Sequence, residues 1–116
     1  KEFDNFIKKR LNILANLNID TKKVWFDPGI GFGKTLNQNL HLMRSLKKYI
    51  DRNIQILLGS SRKSWINFID PSKTDERLGG SLASVAHALS QGVNTFRIHD
   101  VQETNQMLKV LKVLKR

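Results

Sequence analysis

Residues Phe26–Thr35 read FDPGIGFGKT, and their Gly-Lys-Thr ending imitates a phosphate-binding P-loop. A P-loop has the spacing G-x-x-x-x-G-K-[ST], so with Gly33-Lys34-Thr35 as its end the first glycine belongs at position 28. That position is Pro28, which has no backbone N–H to offer a phosphate. Starting from Gly29 the loop is one residue short, and Gly29, Gly31 and Gly33 give G-x-G-x-G, not the dinucleotide fingerprint G-x-G-x-x-G. The stretch is expected instead to be the turn after a strand, because Lys23-Val24-Trp25-Phe26 reads as a buried strand ending at Asp27-Pro28.

The same pattern recurs outward from this loop. Before it, Phe3, Phe6, Ile7, Leu11 and Leu14 have helical spacing. After it, Leu36, Leu40, Met43, Leu46 and Ile50 predict one helix, and Ile54 to Leu58 a strand ending at Gly59-Ser60-Ser61. A short helix over Ser64 to Ile69 precedes the turn Asp70-Pro71-Ser72. Leu82, Val85, Ala86 and Leu89 mark a further helix stopped by Gly92. A third strand, Asn94 to Ile98, leads into His99-Asp100 and a last helix through Met107, Leu108, Leu111 and Leu114. Alternation of this kind means α/β: three parallel strands covered by helices, with Val24, Phe26, Ile56 and Leu58 expected on the inner face.

Composition narrows the function classes. The 116 residues, 40% hydrophobic, suffice for one domain and leave no room for two. No cysteine is present, so disulfides and Cys-based metal sites are excluded. No apolar run approaches 18 residues, and KEFDNFIKKRLNIL has charges where a signal peptide has its apolar core; no membrane association and a cytoplasmic location are expected. The formal charge of +10 invites a nucleic-acid reading. Lys8, Lys9, Arg10, Lys47, Lys48, Lys109, Lys112 and Lys115 fall in helical stretches, however, where they form solvated faces. No zinc-finger spacing, aromatic RNP cluster or Gly-x-x-Gly clamp accompanies them, so no nucleic-acid partner is expected.

Polar residues gather at strand ends. Asp27 closes the first strand, Ser60 to Lys63 follow the second, and Arg97 and His99 close the third. In parallel α/β folds that edge binds ligands, because the strand ends aim side chains into a common crevice. Each has a plainer reading: an Asx turn before proline for Asp27, a helix cap for Ser61, a surface pair for Arg97 and His99. Three consecutive strands together favour a site.

In this order, FDPGIGFGKT, LLGSSRKSWI, ERLGGSLASV and FRIHDVQET resemble the closing motifs of dihydropteroate synthase, from Lys23 onwards. The resemblance implies the C-terminal part of a (β/α)8 TIM barrel, with residues 1–116 a single partial domain. A whole barrel takes roughly 250 residues, so five preceding βα units are expected to lie outside this sequence, and the chain to be inactive alone. The family joins p-aminobenzoate to 6-hydroxymethyl-7,8-dihydropterin pyrophosphate, releasing pyrophosphate and giving 7,8-dihydropteroate. By resemblance, Asp27 accepts the pterin's ring donors, and Lys63 donates to its acceptors while its stem lies beside the aminobenzoate. Gly59 lets the backbone approach the pterin, and Phe32 lies near the aminobenzoate. Arg97 and His99, alternating along one strand, hold the leaving pyrophosphate. Ser64, opening the short helix, either anchors the aminobenzoate carboxylate or is a plain helix cap; Arg62 ranks second to Lys63 and Ser64, and Lys63, Arg97 and His99 are the catalytic set. The resemblance also implies Mg2+ held in the preceding loops and none held here, a homodimeric full-length enzyme, and sulfonamides as inhibitors. Lys34 is either a solvated loop residue or a weak helper, and His41 and His87 read as structural or surface residues. Two alternatives stay open: a pterin-binding barrel of the corrinoid methyltransferase kind, and a non-catalytic remnant. Arg97-Ile98-His99 with Ser61-Arg62-Lys63 speaks against the first, because methyl transfer has no pyrophosphate to hold.

Overall fold

The computed structural model describes residues 2–115. Helix α1 (Glu2–Asn16) is followed by a 3-10 turn (Thr21–Lys23) and the glycine loop, then by α2 (Leu36–Arg44) and α3 (Leu46–Ile50). Strand β1 (Leu57–Leu58), α4 (Ser64–Ile69), a second 3-10 turn (Thr74–Glu76), α5 (Leu78–Ser90), β2 (Thr95–Phe96) and α6 (Val101–Leu114) complete the chain.

The parallel α/β order is present, and the strands are much shorter than expected. β1 pairs with β2 in parallel, Leu57 opposite Thr95 and Leu58 opposite Phe96. The first expected strand is reduced to one parallel bridge, Phe26 to Ile56. Its physical reason is local. Thr21–Lys23 winds into a 3-10 turn capped by Asp20, and the Gln55 side-chain amide donates to the carbonyls of Lys22 (2.7 Å) and Val24 (3.0 Å). A side chain thus occupies acceptors that a strand would have offered to its neighbour's backbone. Trp25, expected to be buried, is exposed.

The expected single helix from Leu36 to Ile50 is also two. Ser45 turns its hydroxyl onto the His41 carbonyl, and its N–H goes to Leu42 in a tighter turn, which bends the chain between α2 and α3. Thr35, the last residue of the P-loop imitation, begins α2 as one half of a capping box with Gln38. At the far end of α5, Gly92 adopts φ +100°, as a helix stop requires.

Phe26, Ile56 and Leu58 are buried, but beneath helices and not on an open inner face. They join Phe3 and Ile7 of α1, Met43 of α2, Leu46 and Tyr49 of α3, and Val93 in one core. Val24 is only partly buried. Burying each such side chain contributes about 1.5–3 kcal/mol. The parallel pairings set the carboxyl ends of the three segments side by side.

Candidate active site

The glycine loop is held from within by its own polar groups. Asp27 Oδ1 accepts from the Gly29 N–H at 2.8 Å, so the Asx turn is real. The Gly31 N–H donates to Oδ1 of buried Asn39 (2.9 Å), and the Phe32 N–H to the Gly29 carbonyl (3.0 Å). Gly29 and Gly31 sit in the left-handed region, φ +71° and +87°, where a Cβ would be strained. Ile30 between them is fully buried and pins the loop to the core. Three of the amides a phosphate cradle would use are therefore already engaged.

Asp27 has a second role as well. Its Oδ2 accepts from Arg97 Nη2 at 3.3 Å, and the pair is part exposed, 32% for Asp27 and 56% for Arg97. Arg97 reaches Asp27 by crossing Gly59. A Cβ on Gly59 would lie 2.6 Å from Arg97 Nη2, so the bare backbone there leaves the guanidinium its path to Asp27. The ladder continues past the strands, since the Arg97 N–H donates to the Leu58 carbonyl at 2.9 Å. Arg97 lies over Gly59 and His99 over Ser61. Residues two apart share a face, and these two do.

Ser61 is buried and is no helix cap. Its hydroxyl lies 3.0 Å from His99 Nδ1 and 3.4 Å from the His99 N–H. This contact was not legible as a pair, since 38 residues separate its ends.

Arg62 follows in the left-handed region, φ +56°, at a cost of about 1–2 kcal/mol for a residue with a Cβ. Three groups offset it. Its N–H donates to Ser81 Oγ (2.8 Å), Arg77 Nη1 donates to its carbonyl (2.9 Å), and its guanidinium grips Asp100. Arg62 holds the Asp100 carboxyl below the usual carboxylate range. Asp100 pairs with Arg62 instead of capping α6 with its side chain. Arg62 is thereby engaged in the turn, and the kink it makes turns the next residue toward the glycine loop.

That residue is Lys63. Its ammonium donates to the Ile30 carbonyl at 2.6 Å and lies 4.5 Å from the centre of the Phe32 ring. Partial burial pushes its pKa down; Asp27 opposes this shift, while Arg97 and Lys34 add to it. Phe32 is 64% exposed, so it is no core residue. Lys34 closes the loop, donating to the carbonyls of Gly29 (2.9 Å) and Phe32 (3.3 Å). Ser64 is exposed at the first position of α4, where Lys63 occupies the cap position. His41 is exposed on α2 and lines one cavity with Phe32 and Lys34, while His87 Nε2 lies 3.0 Å from the Met43 carbonyl.

The arrangement is thus Asp27, Lys63 and Arg97 converging from three parallel segments, Phe32 open beside them, and His99 on the same face as Arg97. It offers one carboxylate acceptor and two permanent or nearly permanent cations on a solvent-open edge.

The family model "pterin binding enzyme" matches residues 1–99. The dihydropteroate synthase of Escherichia coli K12 is 35% identical over 111 residues, covering 96% of this chain and 39% of that protein. Two structures of Xanthomonas albilineans dihydropteroate synthase, one with 4-aminobenzoic acid and one with 7,8-dihydropteroate, superpose with TM-score 0.91 at 30% identity. They cover 98% of this chain and 42% and 44% of those chains. The chain spans about two-fifths of the length of the curated relatives it matches. By its matched motifs and its fold, the chain belongs to the pterin-binding enzyme family, and its relatives there are dihydropteroate synthases.

Proposed function

We propose that this chain forms the C-terminal part of a dihydropteroate synthase barrel and supplies contacts to both substrates and to the leaving group. The observation that carries the reading is the convergence of Asp27, Lys63 and Arg97 across Gly59 at the carboxyl ends of adjacent parallel segments. The Xanthomonas albilineans relatives, with 4-aminobenzoic acid and 7,8-dihydropteroate, name the chemistry.

In the reaction, the amine nitrogen of p-aminobenzoate attacks the methylene carbon of the pterin as the carbon–oxygen bond breaks. Pyrophosphate leaves with the bonding electron pair, and the amine gives up a proton. No protein nucleophile is needed, so the rate comes from positioning and from stabilising charge on the departing oxygens. Asp27 accepts from the pterin's ring N–H donors in plane. The lysine ammonium has three donors, so Lys63 keeps Ile30 and still reaches a pterin acceptor. Arg97 offers a fork and His99 a ring N–H to phosphate oxygens. Phe32 lies against the aminobenzoate ring, and Ser64 at the start of α4 meets its carboxylate. Magnesium is implied by the family, with its ligands in the loops that precede this chain. No group of three or more His, Asp or Glu side chains among the described residues is placed to hold a metal ion, and no step here runs through one. A cytoplasmic homodimer blocked by sulfonamides at the aminobenzoate position is the form of the whole enzyme that this reading implies.

The test is a complete barrel in which residues 1–116 replace the matching part of the Escherichia coli enzyme. Formation of 7,8-dihydropteroate from both substrates supports the proposal. A chimera that folds cooperatively, binds the pterin pyrophosphate and yet makes no product would favour the non-catalytic remnant.

A further inference from the structure

We infer that Ser61 is a positioning residue that fixes His99 in the tautomer with its proton on Nε2, so that the ring presents a donor to the leaving group. The inference rests on the reading of His99 as a pyrophosphate contact.

It follows from counting protons at a buried hydroxyl. Ser61 is 4% exposed, and its Oγ has one hydrogen and two lone pairs. One lone pair faces the His99 backbone N–H at 3.4 Å, a group that can only donate. The other close neighbour is His99 Nδ1 at 3.0 Å. If Nδ1 carried the ring proton, Oγ would accept twice and its own hydrogen would have no partner among the described residues. Leaving a buried donor unmade costs about 1–3 kcal/mol. If Oγ–H donates to Nδ1, every group is satisfied, Nδ1 is an acceptor, and the neutral ring carries its proton on Nε2.

The tautomer matters because phosphate oxygens only accept. A neutral imidazole with a bare Nε2 would turn a lone pair toward them and repel. Ser61 removes that state in advance, so no tautomer exchange is needed when pyrophosphate arrives. The neighbouring backbone supports the same end: the Arg62 N–H and carbonyl are tied to Ser81 and Arg77, which holds the turn carrying Ser61 in one conformation.

The experiment uses the chimeric barrel with 15N-labelled histidine, the His99 ring being assigned by His99→Gln. Long-range proton–nitrogen spectra at about pH 8.5, where an ordinary imidazole is neutral, should show Nε2 protonated and Nδ1 bare. Ser61→Ala should mix the two tautomers and lower kcat about ten-fold, the worth of one hydrogen bond. The KM for p-aminobenzoate should be unchanged, and Ser61→Thr should restore spectrum and rate. A wild-type ring protonated on Nδ1, or a Ser61→Ala spectrum identical to wild type, overturns the inference. If the tautomer behaves as described but added inorganic pyrophosphate leaves the His99 signals unmoved, the assignment to Ser61 stands and the pyrophosphate reading of His99 falls.

Discussion

Two clusters in this molecule are built from the same residue types. In one, Asp4 of α1 meets Lys48 at 3.4 Å and Arg52 at 4.0 Å, and Lys48 Nζ lies 4.8 Å from the Tyr49 ring centre. In the other, Asp27 meets Arg97 at 3.3 Å and Lys63 Nζ lies 4.5 Å from the Phe32 ring centre. Each has a carboxylate, a lysine, an arginine and an aromatic ring. The difference lies in what the ring and the backbone do. Tyr49 is 2% exposed and packs edge-on against Phe3 in the core, so the first cluster fastens α3 to α1. Phe32 is open to solvent, its loop has glycines in left-handed conformations, and a missing Cβ at Gly59 clears a path for Arg97. A composition shared by both cannot mark a site. An unpacked aromatic on a tightly determined backbone can.

The contrast breaks first at Arg97. In the chimeric barrel Arg97→Ala should lower kcat about a hundred-fold, the usual loss when one donor to developing charge is removed. Affinity for hydroxymethyl-dihydropterin, which lacks the pyrophosphate, should change little, and Arg97→Lys should recover only part of the rate. Steady-state kinetics with calorimetry decides; equal losses on both pterin forms with turnover intact would make Arg97 a scaffold residue. Asp27→Asn comes next. An amide presents a donor where the pterin also presents one, so pterin affinity should fall about ten- to a hundred-fold, within the range for a charged hydrogen bond. Unchanged affinity in a folded protein would leave Asp27 with its Asx turn alone.

The legible part of this molecule was the part written locally. Helical spacing located α1, α4, α5 and α6, because each carries an apolar face within a few turns. Asp27, Lys63 and Arg97 were legible as residues that close successive strands, and the structure brings them together. The first strand was misread in length, because Gln55 intercepts backbone acceptors 31 and 33 residues away. The partners of Ser61, Asn39 and Arg62 likewise left no signal, because each is reached by side-chain hydrogen bonds between residues apart in sequence. At Gly59 the neighbour that sequence could not show is Arg97, whose guanidinium lies where a Cβ would go.

Smaller effects sharpen the comparison. Gly59→Ala would set a methyl group 2.6 Å from Arg97 Nη2, and that flexible, half-exposed side chain can swing aside. Stability should therefore hold within about 1 kcal/mol, while loss of the Asp27 contact lowers kcat about ten-fold, as for one hydrogen bond. Lys48→Gln in the other cluster should leave kcat untouched and shift stability by less than about 1 kcal/mol, as for an exposed ion pair. Urea melts alongside turnover separate the two; a Lys48→Gln protein with depressed turnover would erase the distinction between the clusters.

The smallest effect at neutral pH is the one that isolates the structural cluster. The Tyr49 hydroxyl is pushed up to about 12 from the ordinary 10.0, first by burial and then by the neighbouring Asp4 carboxylate. A raised folded value means that the native state holds this proton where the unfolded chain has released it. The contribution is then fully present below pH 10 and is lost progressively as pH rises toward about 12. On the acid side the Tyr49 hydroxyl holds the Asp4 carboxyl below its ordinary value, a contribution lost as Asp4 is protonated. Tyr49→Phe cannot ionise, so the difference between the two proteins' stabilities should be constant from neutral pH to pH 10 and should move in favour of Tyr49→Phe between pH 10 and 12. Subtracting the two urea-melt profiles isolates the phenol from every other group. Turnover at neutral pH should be the same in both, because this ring packs in the core against Phe3 and beneath Lys48 and Arg52, none of them a residue of the candidate site. A flat difference across that window would mean that Tyr49 ionises as freely in the folded chain as in the unfolded one, and that Asp4 and burial do not hold its proton.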